Sequence, residues 1–138
     1  MTGIQERERE GSALELTPTD RIRIRDVIRE QLDALRAHDP VRALACATPQ
    51  RRNHGTPGLF METIARAFPQ LVHSKRVEFG EVRRMAGFVA QPVRVTASDG
   101  STTHAVYLMI RQDDGVWLID GCVCAPTPGG SLEMQFPN

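Results

Sequence analysis

The hydrophobic period changes once along this chain, and that change constrains the fold more than any other feature. From Asp20, the apolar residues Ile24, Val27, Ile28, Leu32 and Leu35 recur at spacings of three and four, so with Gln31 they share one helix face. Later the period becomes that of strands. Residues 76–84, 88–97, 103–111 and 116–124 are short β-rich runs, separated by the hairpin signals Ala86-Gly87, Asp99-Gly100 and Asp114-Gly115. An apolar sheet face needs a cover, and the preceding helices are the only elements available to supply it. The expected fold is α+β, with three N-terminal helices packed on a curved four-stranded antiparallel meander.

The helix boundaries carry their own signals. Asp20 is a candidate cap for the first helix. Asp39-Pro40 and Thr56-Pro57 each combine a capping side chain with a proline whose missing N–H is not needed in a first turn. The third helix presents Phe60, Ile64, Ala67, Phe68 and Leu71, and Pro69 should kink or end it. Arg51-Arg52-Asn53-His54-Gly55 between the helices is basic and is expected to be an exposed loop. Residues 1–19 hold the charge run Glu6-Arg7-Glu8-Arg9-Glu10 and no sustained apolar face, which predicts a disordered tail. The domain should span 20–126, followed by a Pro/Gly-rich tail over 127–138.

Composition excludes several partners. The 138 residues suit one domain. Positive and negative charges balance at 17 each, and Lys75 is the one lysine, so no overall basic field favours nucleic acid. No apolar run approaches the roughly 20 residues of a membrane helix, and MTGIQERERE does not have the form of a secretory signal. Three cysteines, an odd number, fit reduced thiols in a cytoplasm better than a disulfide framework. The preference for arginine over lysine hints at a GC-rich genome.

Turn chemistry then assigns faces. With Asp99-Gly100 as a two-residue turn, His104 stands opposite Val95, Val106 opposite Val93, Leu108 opposite Gln91 and Ile110 opposite Val89. A two- or four-residue loop at Asp114-Gly115 adds Trp117, Ile119, Gly121 and Val123 to that face, whereas a three-residue loop would reverse it. The opposite face collects Arg94, Tyr107, Met109, Leu118, Asp120, Cys122 and Cys124, and is a candidate homodimer surface. In the first strand, Val77, Phe79 and Glu81 alternate with Glu78, Gly80 and Val82, and neither phase is marked as buried.

On this register the inward polar residues are Gln31, Gln91 and His104, the candidate ligand-binding set of a mostly apolar pocket. The structural alternative is that the glutamines satisfy each other or the backbone while His104 sits at a wet sheet end. If chemistry occurs, His104 is the best acid or base, because its ordinary pKa of about 6.5 lies near neutrality. Cys122 and Cys124 are two apart in a strand, and C-x-C lacks the usual zinc spacing. They are expected to be packing thiols, with no metal and no cofactor.

The order of helices and then a meander ending in DGVWLIDG resembles the NTF2-like superfamily, over about Arg21 to Pro126. Within it, QLDALRAHDPVRAL, HGTPGLF and VYLMIRQDDGVWLIDGC resemble an uncharacterised bacterial domain-of-unknown-function family. The resemblance implies a cone built from a long first helix and a bent sheet. The superfamily includes isomerases, dehydratases and cyclases as well as binding and oligomerisation domains, so fold does not choose a function. Its enzymes place a carboxylate or a His-Asp pair inside the cone, and the inner faces assigned here hold no definite carboxylate. The expected function is binding of a small, mostly apolar ligand, or a dimeric interaction module. The alternative is an isomerase, dehydratase or hydrolase using His104.

Overall fold

The computed structural model describes residues 16–53 and 55–126. Helices α1 (Pro18–Arg36), α2 (Pro40–Ala45), α3 (Pro49–Arg52), α4 (Pro57–Ala67) and α5 (Pro69–Val72) precede strands β1 (Ser74–Phe79), β2 (Arg83–Met85), β3 (Phe88–Ala97), β4 (Thr102–Arg111) and β5 (Trp117–Pro126). The strands form one open antiparallel sheet of order β1-β3-β4-β5, with β2 also paired to β3. The α+β class is as expected, with five helical segments and five strands among the described residues rather than three and four. The expected tails lie outside the described residues, except that residues 16–19 lead into and begin α1.

Each helix begins with proline, which costs no hydrogen bond because the first-turn amides have no partner within the helix. The caps differ from expectation at one place. Thr17, not Asp20, caps α1: its hydroxyl accepts from the Asp20 amide at 3.0 Å, while the Asp20 carboxylate accepts from the Thr17 amide at 3.1 Å. Asp39 and Thr56 cap α2 and α4 as expected. The basic stretch at 51–55 is partly helical, since Arg51 and Arg52 close α3; His54 lies outside the described residues.

The expected first strand is split in two, and Pro92 explains the break. β1 pairing ends at Phe79 opposite Val93, and β2 pairing resumes at Arg83 opposite Ala90. Pro92 falls in the gap, where its carbonyl accepts from the Gly80 amide at 2.8 Å and no N–H is required of it. The phase of β1 is also settled. Val77 and Phe79 pack against the core, and Glu78 points to the other face, where it pairs with Arg94 at 3.5 Å.

The hairpin register differs from expectation by one residue. Val95 stands opposite Thr103, Arg94 opposite His104 and Gln91 opposite Tyr107. Ser98, Asp99 and Gly100 form a three-residue loop: the Ala97 amide donates to the Ser101 carbonyl, Asp99 Oδ1 accepts from the Ser101 amide, and Gly100 has φ +89°. That is a turn followed by a left-handed glycine bulge rather than a two-residue turn. The β4–β5 hairpin repeats the device with Asp114 and Gly115.

Two reversals cancel for Trp117 and Ile119, which face the helices as expected. A bulge in β5 between Ile119 and Gly121 then restores an odd step. Cys122 and Cys124 therefore face the core side, opposite Tyr107 and Ala105, while Val123 is exposed, a reversal of both expectations.

The core lies between α1 and the sheet. Ile24, Ile28, Leu32 and Leu35 pack with Val93, Val95, Ala105, Tyr107, Met109, Trp117 and Ile119. The free edge of β5 is covered locally by the α2–α3 connection: the Ile119 amide donates to the Cys46 carbonyl at 2.8 Å and the Thr48 amide to the Ile119 carbonyl at 2.9 Å. Thr48 Oγ1 also donates to Asp120 at 2.8 Å, and Arg51 forms an ion pair with Asp120.

Candidate functional site

The first turn of α1, the β2–β3 turn and the adjoining ends of β4 and β5 enclose a cleft of about 470 Å³. Its apolar wall includes Phe88, Val89, Met109 and Trp117, with Met85 at the rim. Sequence order explains this lining. Val89, Met109 and Trp117 are core-phase positions at the sheet end, and β2 is too short to extend far beside them.

The polar groups are few and charged. The Trp117 indole Nε1 donates to Asp20 Oδ1 at 3.3 Å, and Arg84 and Arg111 also line the cleft. Partial burial opposes the charge on Asp20, but hydrogen bonds from the Thr17 amide and the Trp117 indole, with Arg111 nearby, hold its carboxyl below the ordinary value. The cleft therefore keeps one fixed carboxylate and two guanidinium groups around an apolar wall.

A second polar group lies within the helix-covered face. Gln91, Tyr107 and Cys122 occupy one row across β3, β4 and β5. Gln91 Nε2 donates to the Gly80 carbonyl at 2.9 Å and the Pro92 carbonyl at 2.8 Å, yet among the described residues its Oε1 has no hydrogen-bond partner. The Tyr107 hydroxyl is fully buried and, among the described residues, likewise lacks a well-formed hydrogen bond, although it interacts with the Cys122 thiol. An orphaned buried group costs about 1–3 kcal/mol. Burial, reinforced by the thiols of Cys122 and Cys124, pushes the Tyr107 hydroxyl well above its ordinary pKa.

A family model described as "Domain of unknown function (DUF4864)" matches residues 17–131. The chain belongs to that family. No curated protein and no solved structure matches it. Membership of this domain-of-unknown-function family agrees with the resemblance of QLDALRAHDPVRAL, HGTPGLF and VYLMIRQDDGVWLIDGC, and it assigns no activity.

The three residues singled out from the sequence are not brought together. Gln31 is buried on α1 and donates to the Ala43 carbonyl of α2 at 3.3 Å. Gln91 is buried on the sheet's helix-covered face. His104 stands on the opposite face beside Arg94, because the hairpin register is one residue from the expected one. Partial desolvation and the Arg94 charge push its pKa below the ordinary value. None of the three lines the cleft. Asp20 and Trp117 were legible only as a helix start and a core residue, since nothing in a single sequence marks a contact across 97 positions.

No helix among the described residues is long and apolar enough to cross a membrane.

Proposed function

We propose that this domain holds a small, mostly apolar molecule in the cleft beside Trp117, on a scaffold of the NTF2-like kind. The observation that carries the reading is the cleft itself: about 470 Å³ of space with an apolar wall and, among the described residues, charged groups confined to Asp20, Arg84 and Arg111. That volume lies within the usual range for small-molecule sites, roughly 300–1,000 Å³, and a few charged groups on an apolar wall are the usual means of orienting a ligand. The free thiols Cys46, Cys122 and Cys124 accord with residence in a reducing cytoplasm.

The chain carries its own reporter, because Trp117 is its single tryptophan. Titration with 1-anilinonaphthalene-8-sulfonate, an apolar ring system with one charged group, should change Trp117 emission saturably at one probe per chain. Met85→Asp and Phe88→Asp, at the cleft lining, should each weaken that binding at least tenfold. An unsaturable response, or equal binding by both variants, removes the cleft as a ligand site. Native mass spectrometry of protein purified from its own host would then identify what the cleft retains.

A second reading, a homodimer through the outer sheet face, has a specific observation in its favour. Val106, Leu108, Ile110, Leu118 and Val123 all lie on the face away from the helices, so it is more apolar than the sequence register implied. A four-strand face of this length covers roughly 600 Å² per copy, and two copies would bury roughly 1,200 Å², the lower end of stable interfaces. An isomerase, dehydratase or hydrolase reading rests on His104 as acid or base. It has less support, since His104 lies outside the cleft.

A further inference from the structure

We infer that the groove between the second half of α1 and the edge strand β1 binds a diphosphate group, free or carried as an ester by a small molecule. The groove encloses about 210 Å³ toward the opposite end of α1 from the Trp117 cleft, and Arg29, Arg36, Lys75 and Arg76 line it together with Asp33 and Leu32. Spacing and topology bring the four cations together. Arg29, Leu32 and Arg36 recur at three and four along α1 and so share a helix face. Lys75 and Arg76 belong to β1, which ends the sheet order and has no strand on its other side among the described residues.

Both ends of the groove are held by arginine. Arg36 Nη1 donates to the Ser74 carbonyl at 3.3 Å, and the same side chain pairs with Asp33, which ties the end of α1 to the start of β1. Toward the end of β1, the Arg29 guanidinium lies 4.8 Å from the centre of the Phe79 ring and that of Arg25 lies 5.4 Å from it. Like charges four residues apart on a helix repel, yet these two are drawn to one ring, and neither forms an ion pair among the described residues. Arg25 Nε is buried with no hydrogen-bond partner among the described residues. The guanidinium groups are therefore positioned in advance, and a bound anion relieves their repulsion.

Charge selects the ligand. The whole chain balances 17 positive against 17 negative residues, so this concentration is not the by-product of a basic protein. Lys75 and Arg76 form no ion pair among the described residues, and neighbouring acids are engaged elsewhere, Glu30 with Arg42 and Glu78 with Arg94. Four cations against the one carboxylate of Asp33 leave three positive charges, and the partial negative charge at the C-terminus of α1 reduces them to roughly two and a half. A phosphomonoester brings about 1.5–2 negative charges at neutral pH. One phosphate thus leaves the groove short of charge, whereas two joined phosphates match it, and guanidinium forks donate paired hydrogen bonds to phosphate oxygens. The space is smaller than the roughly 300–1,000 Å³ of sites that enclose a whole small molecule, so it takes the compact charged group and leaves any ester body outside.

The test is isothermal titration calorimetry on the full-length protein, in divalent-free buffer at fixed ionic strength, with pyrophosphate, ADP, orthophosphate, AMP and sulfate as probes. Pyrophosphate or ADP should bind once per chain, roughly tenfold or more tighter than orthophosphate, AMP or sulfate. The tighter of the two tells a free diphosphate from an ester, and its affinity should fall as salt is raised. Arg29→Gln and Lys75→Gln should each weaken that binding by roughly tenfold or more. Lys75→Arg should largely retain it, and Arg66→Gln, which removes the exposed pair with Glu62 on α4, should leave it unchanged. Lys75 is exposed and forms no ion pair among the described residues, so its variants should keep the wild-type urea midpoint. Absence of saturable binding by either diphosphate, equal affinity for sulfate and the diphosphates, or unchanged affinity in both Arg29→Gln and Lys75→Gln overturns the inference.

Discussion

The Trp117 indole donates a 3.3 Å hydrogen bond to the Asp20 carboxylate, tying the first turn of α1 to the first residue of β5. Asp20 thus serves two elements at once, because the same carboxylate closes the capping box with Thr17. Its folded pKa is depressed, so it contributes stability that is present above the ordinary carboxylate value and is lost as pH falls through the folded one. Asp20→Asn should cost about 1 kcal/mol at pH 7 and flatten the acid side of the stability curve. Urea midpoints at pH 7 and pH 3 check this; parallel curves for the two proteins would show that the charge contributes nothing.

His104 should produce a second acid-side slope, at higher pH. The unfolded chain protonates histidine near about pH 6.5, whereas in the folded protein desolvation and Arg94 delay protonation to lower pH. The unfolded state therefore binds more protons across that interval, and stability falls as pH drops through it. His104→Gln should remove this part of the slope between about pH 7 and pH 5, read as urea midpoints. An unchanged slope would mean that His104 titrates alike in both states.

The placement of His104 shows where sequence legibility ended. Helix faces were readable because their period tolerates small errors: Ile24, Ile28, Gln31, Leu32 and Leu35 are all buried. Sheet facing has a period of two, so a single miscounted turn residue inverts a strand. Asp-Gly is compatible with both a two-residue turn and a turn followed by a glycine bulge. Side-chain acceptance by Asp99 from the Ser101 amide accompanies the second, as does the corresponding contact of Asp114 with Val116. The β5 bulge at Asp120 had no sequence marker beyond Gly121, and its cause, the Thr48 and Arg51 contacts to Asp120, lies some 70 residues away. Of the candidate site residues, His104 changed face through this error, whereas Gln31 and Gln91 are buried on the expected side. The cleft was missed because Asp20 and Trp117 each had a sufficient local reading.

Both turns should be sensitive to loss of glycine. Gly100 has φ +89°, and no atom lies within 4 Å of the position an added Cβ would occupy, so Gly100→Ala introduces backbone strain without a clash. The expected cost is about 1–2 kcal/mol, with the sheet otherwise intact. Chemical denaturation measures it, and a neutral result would indicate that the turn readily relaxes to another type.

Tyr107 tests whether a buried hydroxyl is satisfied by the thiol beside it. Its hydroxyl is buried and, among the described residues, has no well-formed hydrogen bond, so removing it removes an uncompensated desolvation cost. Tyr107→Phe should leave stability unchanged or raise it by up to about 1 kcal/mol, even though the ring is fully buried. A loss of more than about 1 kcal/mol in urea denaturation would mean that the Cys122 contact already satisfies the hydroxyl.

The outer face offers the opposite kind of test, one in which association changes and the fold does not. Leu108 and Val123 stand beside each other's strands on that face, with Val123 48% exposed, and neither belongs to the main core cluster. Leu108→Glu with Val123→Lys puts charges where a second copy would need apolar contact, while leaving α1 and its sheet partners untouched. Sedimentation velocity should then shift from dimer to monomer. Because dimerisation adds to apparent stability by mass action, the wild-type melting temperature should rise with protein concentration and that of the double variant should not. A wild type that sediments as a monomer at tens of micromolar would dispose of the dimer reading, leaving the apolar residues of this face as ordinary half-buried sheet surface.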